Sequence, residues 1–145
     1  MSSYNILLLC GGAGSEHEIS LISAQYLEQQ LSSIDNFKVT KVIIQKDYWQ
    51  LDNGEKCFLN NNHFLIAENS QIKIDYVVPC IHGTPGETGD IQSFLEIIGL
   101  PYLGCGSEAS KLCFNKISTK LWFSACDIPN TPFSFIDSYT DENMA

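Results

Sequence analysis

The first strong signal along the chain is the run Tyr4–Cys10, apolar except at Asn5, that stops at Gly11-Gly12. A strand buried on both faces reads this way, and the glycine pair marks a tight turn after it. Leu21, Ala24, Leu27 and Leu31 then recur at steps of three and four, which predicts an amphipathic helix. Val39–Gln45 reads as a second strand. Tyr48–Leu51 and Lys56–Leu59 flank Asp52-Asn53-Gly54, a hairpin signal. Ile74–Ile81 predicts a third buried strand, and Asp90 is expected to cap a helix striped by Ile91, Phe94, Leu95 and Ile98. From Ser107, the next expected cap, one helix is predicted to about Ala125, ended by Pro129 and Pro132. Phe133–Ile136 then reads as the opening of another strand.

Strands alternating with helices predict an α/β fold: an open, mostly parallel sheet flanked by helices. The helix and strand from Ser107 onward have little to pack against, so they read as the start of a second domain. The 145 residues carry 17 acidic side chains against 8 basic ones, all Lys, for a formal charge of −9. Nucleic acid is an unsuitable partner for such a surface, and so is an anionic membrane. No apolar stretch approaches the roughly 20 residues of a membrane helix. The six cysteines are dispersed without a C-x-x-C pair, which fits reduced thiols and a cytoplasmic protein.

Ligands of open parallel sheets bind beyond the carboxyl ends of the strands, and two loops qualify. The first, Gly11–Ser20, holds Glu16, His17 and Glu18 at a helix start. Gly12-x-Gly14 begins like a dinucleotide fingerprint, but His17 stands where the third glycine belongs. A carboxylate there either complements the helix dipole or holds an ammonium group of a ligand. The second loop, His82–Gly89, brings His82 and Glu87. Cys80 and His82 would share a face on a strand, the spacing of a Cys–His pair, although the apolar surroundings of Cys80 favour an inert core thiol. His17, His63 and His82 show no metal-ligand spacing. Lys116 and Lys120, with Lys111 one turn earlier, are either a solvated helix face or a phosphate contact.

Three ordered motifs sharpen this picture: Gly11-Gly12-x-x-x-Glu16-His17-Glu18-Ile19-Ser20, His82-Gly83-x-x-Gly86-Glu87-x-Gly89-x-Ile91-Gln92, and Gly99-Leu100-Pro101-Tyr102-x-Gly104. A helix carrying Lys116 follows. Over essentially its whole length the chain resembles the N-terminal part of the bacterial D-alanine–D-alanine ligases. The resemblance implies a Rossmann-like pre-ATP-grasp domain over residues 1–104 and the opening of the ATP-grasp central domain over residues 105–145. It implies ATP and Mg²⁺ as cofactors, D-alanine as substrate, a role in peptidoglycan precursor synthesis, and a homodimer formed through this domain.

By the same resemblance, Glu16 holds the amino group of the first D-alanine, Ile19 gives a backbone contact beside it, His82 lines the pocket, and Lys116 meets ATP phosphates. Four positions depart from the family pattern: Gly14 where Ser is usual, Thr88 for Asp, Ser93 for Gly and Asn115 for Asp. Family members are about twice as long. The rest of their machinery, including the Mg²⁺ carboxylates and an arginine, is expected outside this arginine-free chain, which alone should not catalyse ligation. Two other readings are a non-catalytic binding or dimerisation module and a ligase with another second substrate, such as D-lactate.

Overall fold

A computed structural model describes residues 3–135. The chain divides into two units, Met1–Lys111 and Leu112–Ala145. In the first unit, β1 (Tyr4–Gly11), α1 (His17–Ser32) and β2 (Phe37–Ile44) are followed by four short strands. These are β3 (Trp49–Leu51), β4 (Lys56–Leu59), β5 (Phe64–Ala67) and β6 (Gln71–Lys73). Then come β7 (Tyr76–Pro79), α2 (Asp90–Ile98) and α3 (Ser107–Phe114), the last crossing the division between the units.

The seven strands form one sheet in the order β6-β5-β4-β3-β2-β1-β7. One end is parallel, with β1 paired to β2 on one side and to the edge strand β7 on the other. The β3–β4 hairpin joins β2 antiparallel, and β5 and β6 extend the same meander. The β4–β5 and β5–β6 hairpins lack an Asn-Gly signal in the sequence and are defined by the pairing alone. The open α/β sheet expected from the sequence is therefore present, parallel where β1 and β7 end side by side and antiparallel beyond β2.

Alternation along β1 explains its apolar run. Ile6, Leu8 and Cys10 pack with Ala24 and Val78 on one face, beneath Leu21, Leu27 and Leu31 of α1. Leu7 and Leu9 point the other way, into a cluster with Val42, Val77, Ile91 and Leu95. Successive side chains of a strand face opposite layers, so a strand covered on both sides needs apolar residues at every position.

Several boundaries differ from expectation. The predicted third strand is shorter than Ile74–Ile81, running Tyr76–Pro79, with one further bond from the Cys80 N–H to the Leu9 carbonyl at 2.7 Å. Asp90 does not cap α2. Gly89, at φ +82°, holds the cap position, Asp90 is the first helical residue, and the Thr88 hydroxyl donates to its carboxylate at 2.5 Å. Ser107 is likewise inside its helix. Its hydroxyl and its N–H both donate to Glu96, whose carboxylate closes the amino end of α3.

The helix predicted from Ser107 to Ala125 is two helices. Asn115 takes an extended conformation, and its side chain accepts from the Ser118 N–H at 3.0 Å, starting α4 (Lys116–Ala125). A side chain that caps competes with helix continuation at its own position. Phe133–Phe135 form no strand, and Ile136 lies outside the described residues. Among the described residues no helix is long and apolar enough to cross a membrane.

Candidate functional site

The chain leaves β1 for β2 on one side, and β7 returns on the other. The carboxyl ends of β1 and β7 therefore lie next to each other while their loops diverge, which is where open α/β sheets form a crevice. The β1 loop turns on glycines that no other residue could replace. Gly11 (φ +85°) and Gly12 (φ +112°) are left-handed, and a Cβ would stand 2.6 Å from the Ile44 carbonyl at one and 2.8 Å from the Thr84 carbonyl at the other.

Both loops are tied to α1. Ser20, fully buried, accepts the Gly11 N–H at 2.8 Å and donates to the Cys80 carbonyl at 2.5 Å. One hydroxyl thus bridges the two strand ends. One turn further, Ser23 Oγ lies 3.1 Å from His82 Nε2. His17 closes the β1 loop by donating from Nδ1 to the Gly12 carbonyl at 2.8 Å; a carbonyl only accepts, so Nδ1 carries the proton. Gln92 donates to the Gly86 carbonyl at 2.7 Å and pins the β7 loop from the α2 side.

Glu16 occupies the cap position of α1, yet its side chain makes no capping hydrogen bond. The carboxylate is exposed and directed to the β7 loop: its Oε2 lies 3.1 Å from where a Cβ at Gly83 would stand. Gly83 follows His82, so the structure brings Glu16 and His82 together. Ile19, also exposed, sits on the first turn of α1, where neither the Glu18 nor the Ile19 N–H finds an acceptor among the described residues. Free N–H groups and the positive end of the helix dipole lie at the same end of α1 as Glu16. That combination suits a ligand carrying both an ammonium and an anionic oxygen.

Cys80 and His82 form no pair. β7 stops before Cys80, the His82 ring turns to Ser23, and Cys80 packs in the layer beneath α1, where burial pushes its thiol up. His63 is structural, donating from Nε2 to the Ile98 carbonyl at 2.7 Å. Among the described residues no group of three or more His, Cys, Asp or Glu could hold a metal.

Lys116 belongs to the other unit, as the exposed first residue of α4. Lys120 is engaged instead with Thr131, bonding its carbonyl at 3.1 Å and its hydroxyl at 2.6 Å. The two lysines, expected as a pair, have different work.

Ser20 and Ser23 are site residues that the sequence reading passed over as individuals. The missed signal lies in the helical stripe: Ser20 continues Ala24, Leu27 and Leu31 toward the amino end, a polar residue at a core position.

A sequence model of the family described as D-ala D-ala ligase N-terminus matches residues 5–105, which include both loops and Glu16, Ile19 and His82. The chain belongs to that family. A D-alanine–D-alanine ligase of Tolumonas auensis is 61% identical over 145 residues, covering 100% of this chain and 43% of its own length. The structure of D-alanyl-alanine synthetase A from Vibrio cholerae superposes with a TM-score of 0.92 at 52% identity, covering 99% of this chain and 44% of that one. The D-alanine–D-alanine ligase structure from Aeromonas hydrophila gives 0.89 at 59% identity, covering 92% and 50%. The chain spans under half the length of the curated relatives it matches.

Membership in the D-ala D-ala ligase N-terminus family gives the four departures a local context. Thr88 and Ser93 are both satisfied within the loop and helix they occupy, on Asp90 and on the Gly89 carbonyl. Asn115 keeps the acceptor oxygen that a helix cap requires. Gly14 has open space around it.

Proposed function

We propose that this chain is the first-substrate part of a D-alanine–D-alanine ligase, an ATP-dependent enzyme of cytoplasmic peptidoglycan precursor synthesis. Residues 1–104 form its substrate-binding domain and residues 105–145 open the central ATP-grasp domain. The observation that carries the reading is the uncommitted Glu16 carboxylate, set against the His82 loop at the amino end of α1 and inside the family match. Glu16 takes the ammonium of the first D-alanine. The Ile19 backbone and the His82 ring hold its other side.

In the complete reaction the D-alanine carboxylate attacks the terminal phosphorus of ATP, giving an acyl phosphate and ADP. The amine of a second D-alanine then attacks the acyl carbon, forming the peptide bond and releasing phosphate. Lys116 is assigned to ATP phosphates. A cation at the first position of a helix opposes the helix dipole, and a bound anion would relieve that conflict. The Mg²⁺ ligands are assigned outside this chain. Self-association through the N-terminal domain completes the reading.

The test is ADP release with D-alanine and ATP·Mg²⁺, run on the 145-residue protein beside the longest native reading frame that contains it. Activity is expected only in the longer protein. In that protein Glu16→Gln should raise KM for the first D-alanine about 10- to 150-fold, the loss expected for one charged hydrogen bond. An unchanged KM refutes the assignment of Glu16. Activity in neither protein favours a non-catalytic binding or dimerisation module.

A further inference from the structure

We infer that Ser23 is a positioning residue that fixes the proton of His82 on Nδ1, so that the imidazole presents an N–H donor to the ligand space beside Glu16. The inference deepens the proposed first-substrate site and rests on that reading for the identity of the ligand. Ser23 Oγ and His82 Nε2 are 3.1 Å apart, 59 residues apart in sequence, and both residues are half-buried. Either atom could donate, and the helix leaves the serine proton unspent.

A serine or threonine inside a helix can spend its proton on the carbonyl four residues back. Ser93, Thr119 and Ser124 do this here, on Gly89, Asn115 and Lys120 at 2.8, 3.0 and 3.0 Å. Ser23 makes no such bond to Ile19, and among the described residues His82 Nε2 is its single recorded partner. Its proton is therefore free to point at Nε2. A nitrogen that accepts is unprotonated, and the proton of a neutral ring then sits on the other nitrogen.

Nδ1 of His82 has no partner among the described residues, and it is not a buried orphan. His82 immediately precedes Gly83, against which the Glu16 carboxylate lies. A donor on Nδ1 and an acceptor on Glu16 complement a ligand that bears a carboxylate and an ammonium on one carbon. Without Ser23 the ring would be free to carry its proton on either nitrogen and to rotate.

The deciding experiment is a long-range ¹H–¹⁵N correlation spectrum of the 145-residue protein with ¹⁵N-labelled histidine, recorded at a pH where the rings are neutral. Two internal standards are built in, because His17 donates from Nδ1 and His63 from Nε2 to backbone carbonyls. The expected result is a His82 pattern like that of His17, lost in Ser23→Ala and kept in Ser23→Thr. A His82 pattern like that of His63 in the parent protein overturns the inference without any variant. An Nδ1–H pattern that survives in Ser23→Ala overturns it equally.

In the longer reading frame, Ser23→Ala should raise KM for the first D-alanine about two- to tenfold, the range of one neutral hydrogen bond, with Thr restoring it and kcat little changed. A shifted tautomer with unchanged KM overturns the positioning role. The ring proton is read without substrate, so this outcome is separable from failure of the ligase reading, which Glu16→Gln decides.

Discussion

Replacing Ser20 with Ala removes one hydroxyl from a place that water does not reach. Ser20 is fully buried, and its oxygen is the acceptor for the Gly11 N–H and the donor to the Cys80 carbonyl. Gly11 is buried, so its N–H would be left unpaired at a cost of about 1–3 kcal/mol. Cys80 is half-buried, and its carbonyl can recover part of its loss from solvent. Together these give about 2–4 kcal/mol, a large share of the roughly 5–15 kcal/mol that holds a domain folded.

For a unit of this size that corresponds to a Tm lower by roughly 10 °C. Urea unfolding followed by circular dichroism measures it directly, with an unchanged m-value showing that the transition itself is intact. Ser33→Ala is the matched control, because Ser33 also donates to a carbonyl, that of Gln30 at 2.6 Å, but does so in the open. It should change stability by less than about 0.5 kcal/mol. Amide exchange adds a local readout, since the Gly11 N–H should lose its protection in the Ser20 variant alone. Equal stabilities for the two variants would refute the claim that Ser20 joins the ends of β1 and β7.

Two titration predictions follow from burial and hydrogen bonding. Burial pushes the Cys10 thiol up to about 12 and the Cys57 thiol up to about 11, so both should resist iodoacetamide at pH 8 in the folded protein. Exposed Cys105, Cys113 and Cys126 should react, and intact-mass and peptide mass spectrometry separate the two groups. Glu96 accepts from the Ser107 hydroxyl, from Tyr102 and from the Ser107 N–H, which hold its carboxyl below its ordinary value of 4.5. A folded-state value below the unfolded one stabilises above the unfolded value and loses that contribution as pH falls through the folded one. Glu96→Gln should therefore flatten the stability profile below about pH 4.5 and leave its slope near neutrality unchanged, as read from Tm against pH.

The elements that depend on neighbouring residues were legible along the chain. The apolar run of β1, the α1 stripe and the Asn-Gly turn of the first hairpin are local patterns, and the structure returns each of them. The glycine pair after β1 announced a tight turn, and both members prove left-handed. Glu16 and His82 stood out as candidates by their position in loops after strands, whereas Ile19 entered only through the resemblance to the ligase family.

Helix ends were less legible, because they turn on single side-chain bonds. Asn115 spends its oxygen on Ser118 and divides one predicted helix into two. Ser107 donates to Glu96 where it was expected to accept from its own helix. The β5–β6 hairpin was settled by pairing, since Phe64–Ala67 and Gln71–Lys73 are too short to show a period of their own.

By itself, then, the sequence determined the strand and helix periods, the turn at Gly11-Gly12 and the residue types of a polar site at two loops. Only tertiary structure decided which atoms those residues address. Ser20 and Ser23 became site residues because α1 packs across the ends of β1 and β7, bringing each within hydrogen-bond reach of groups some 60 positions away. The same packing set the His82 ring on Ser23, and the Glu16 carboxylate, at the cap position of α1, makes no capping hydrogen bond. Periodicity is a property of consecutive residues, whereas a hydrogen bond across the sheet depends on where the chain returns, and no local pattern encodes that.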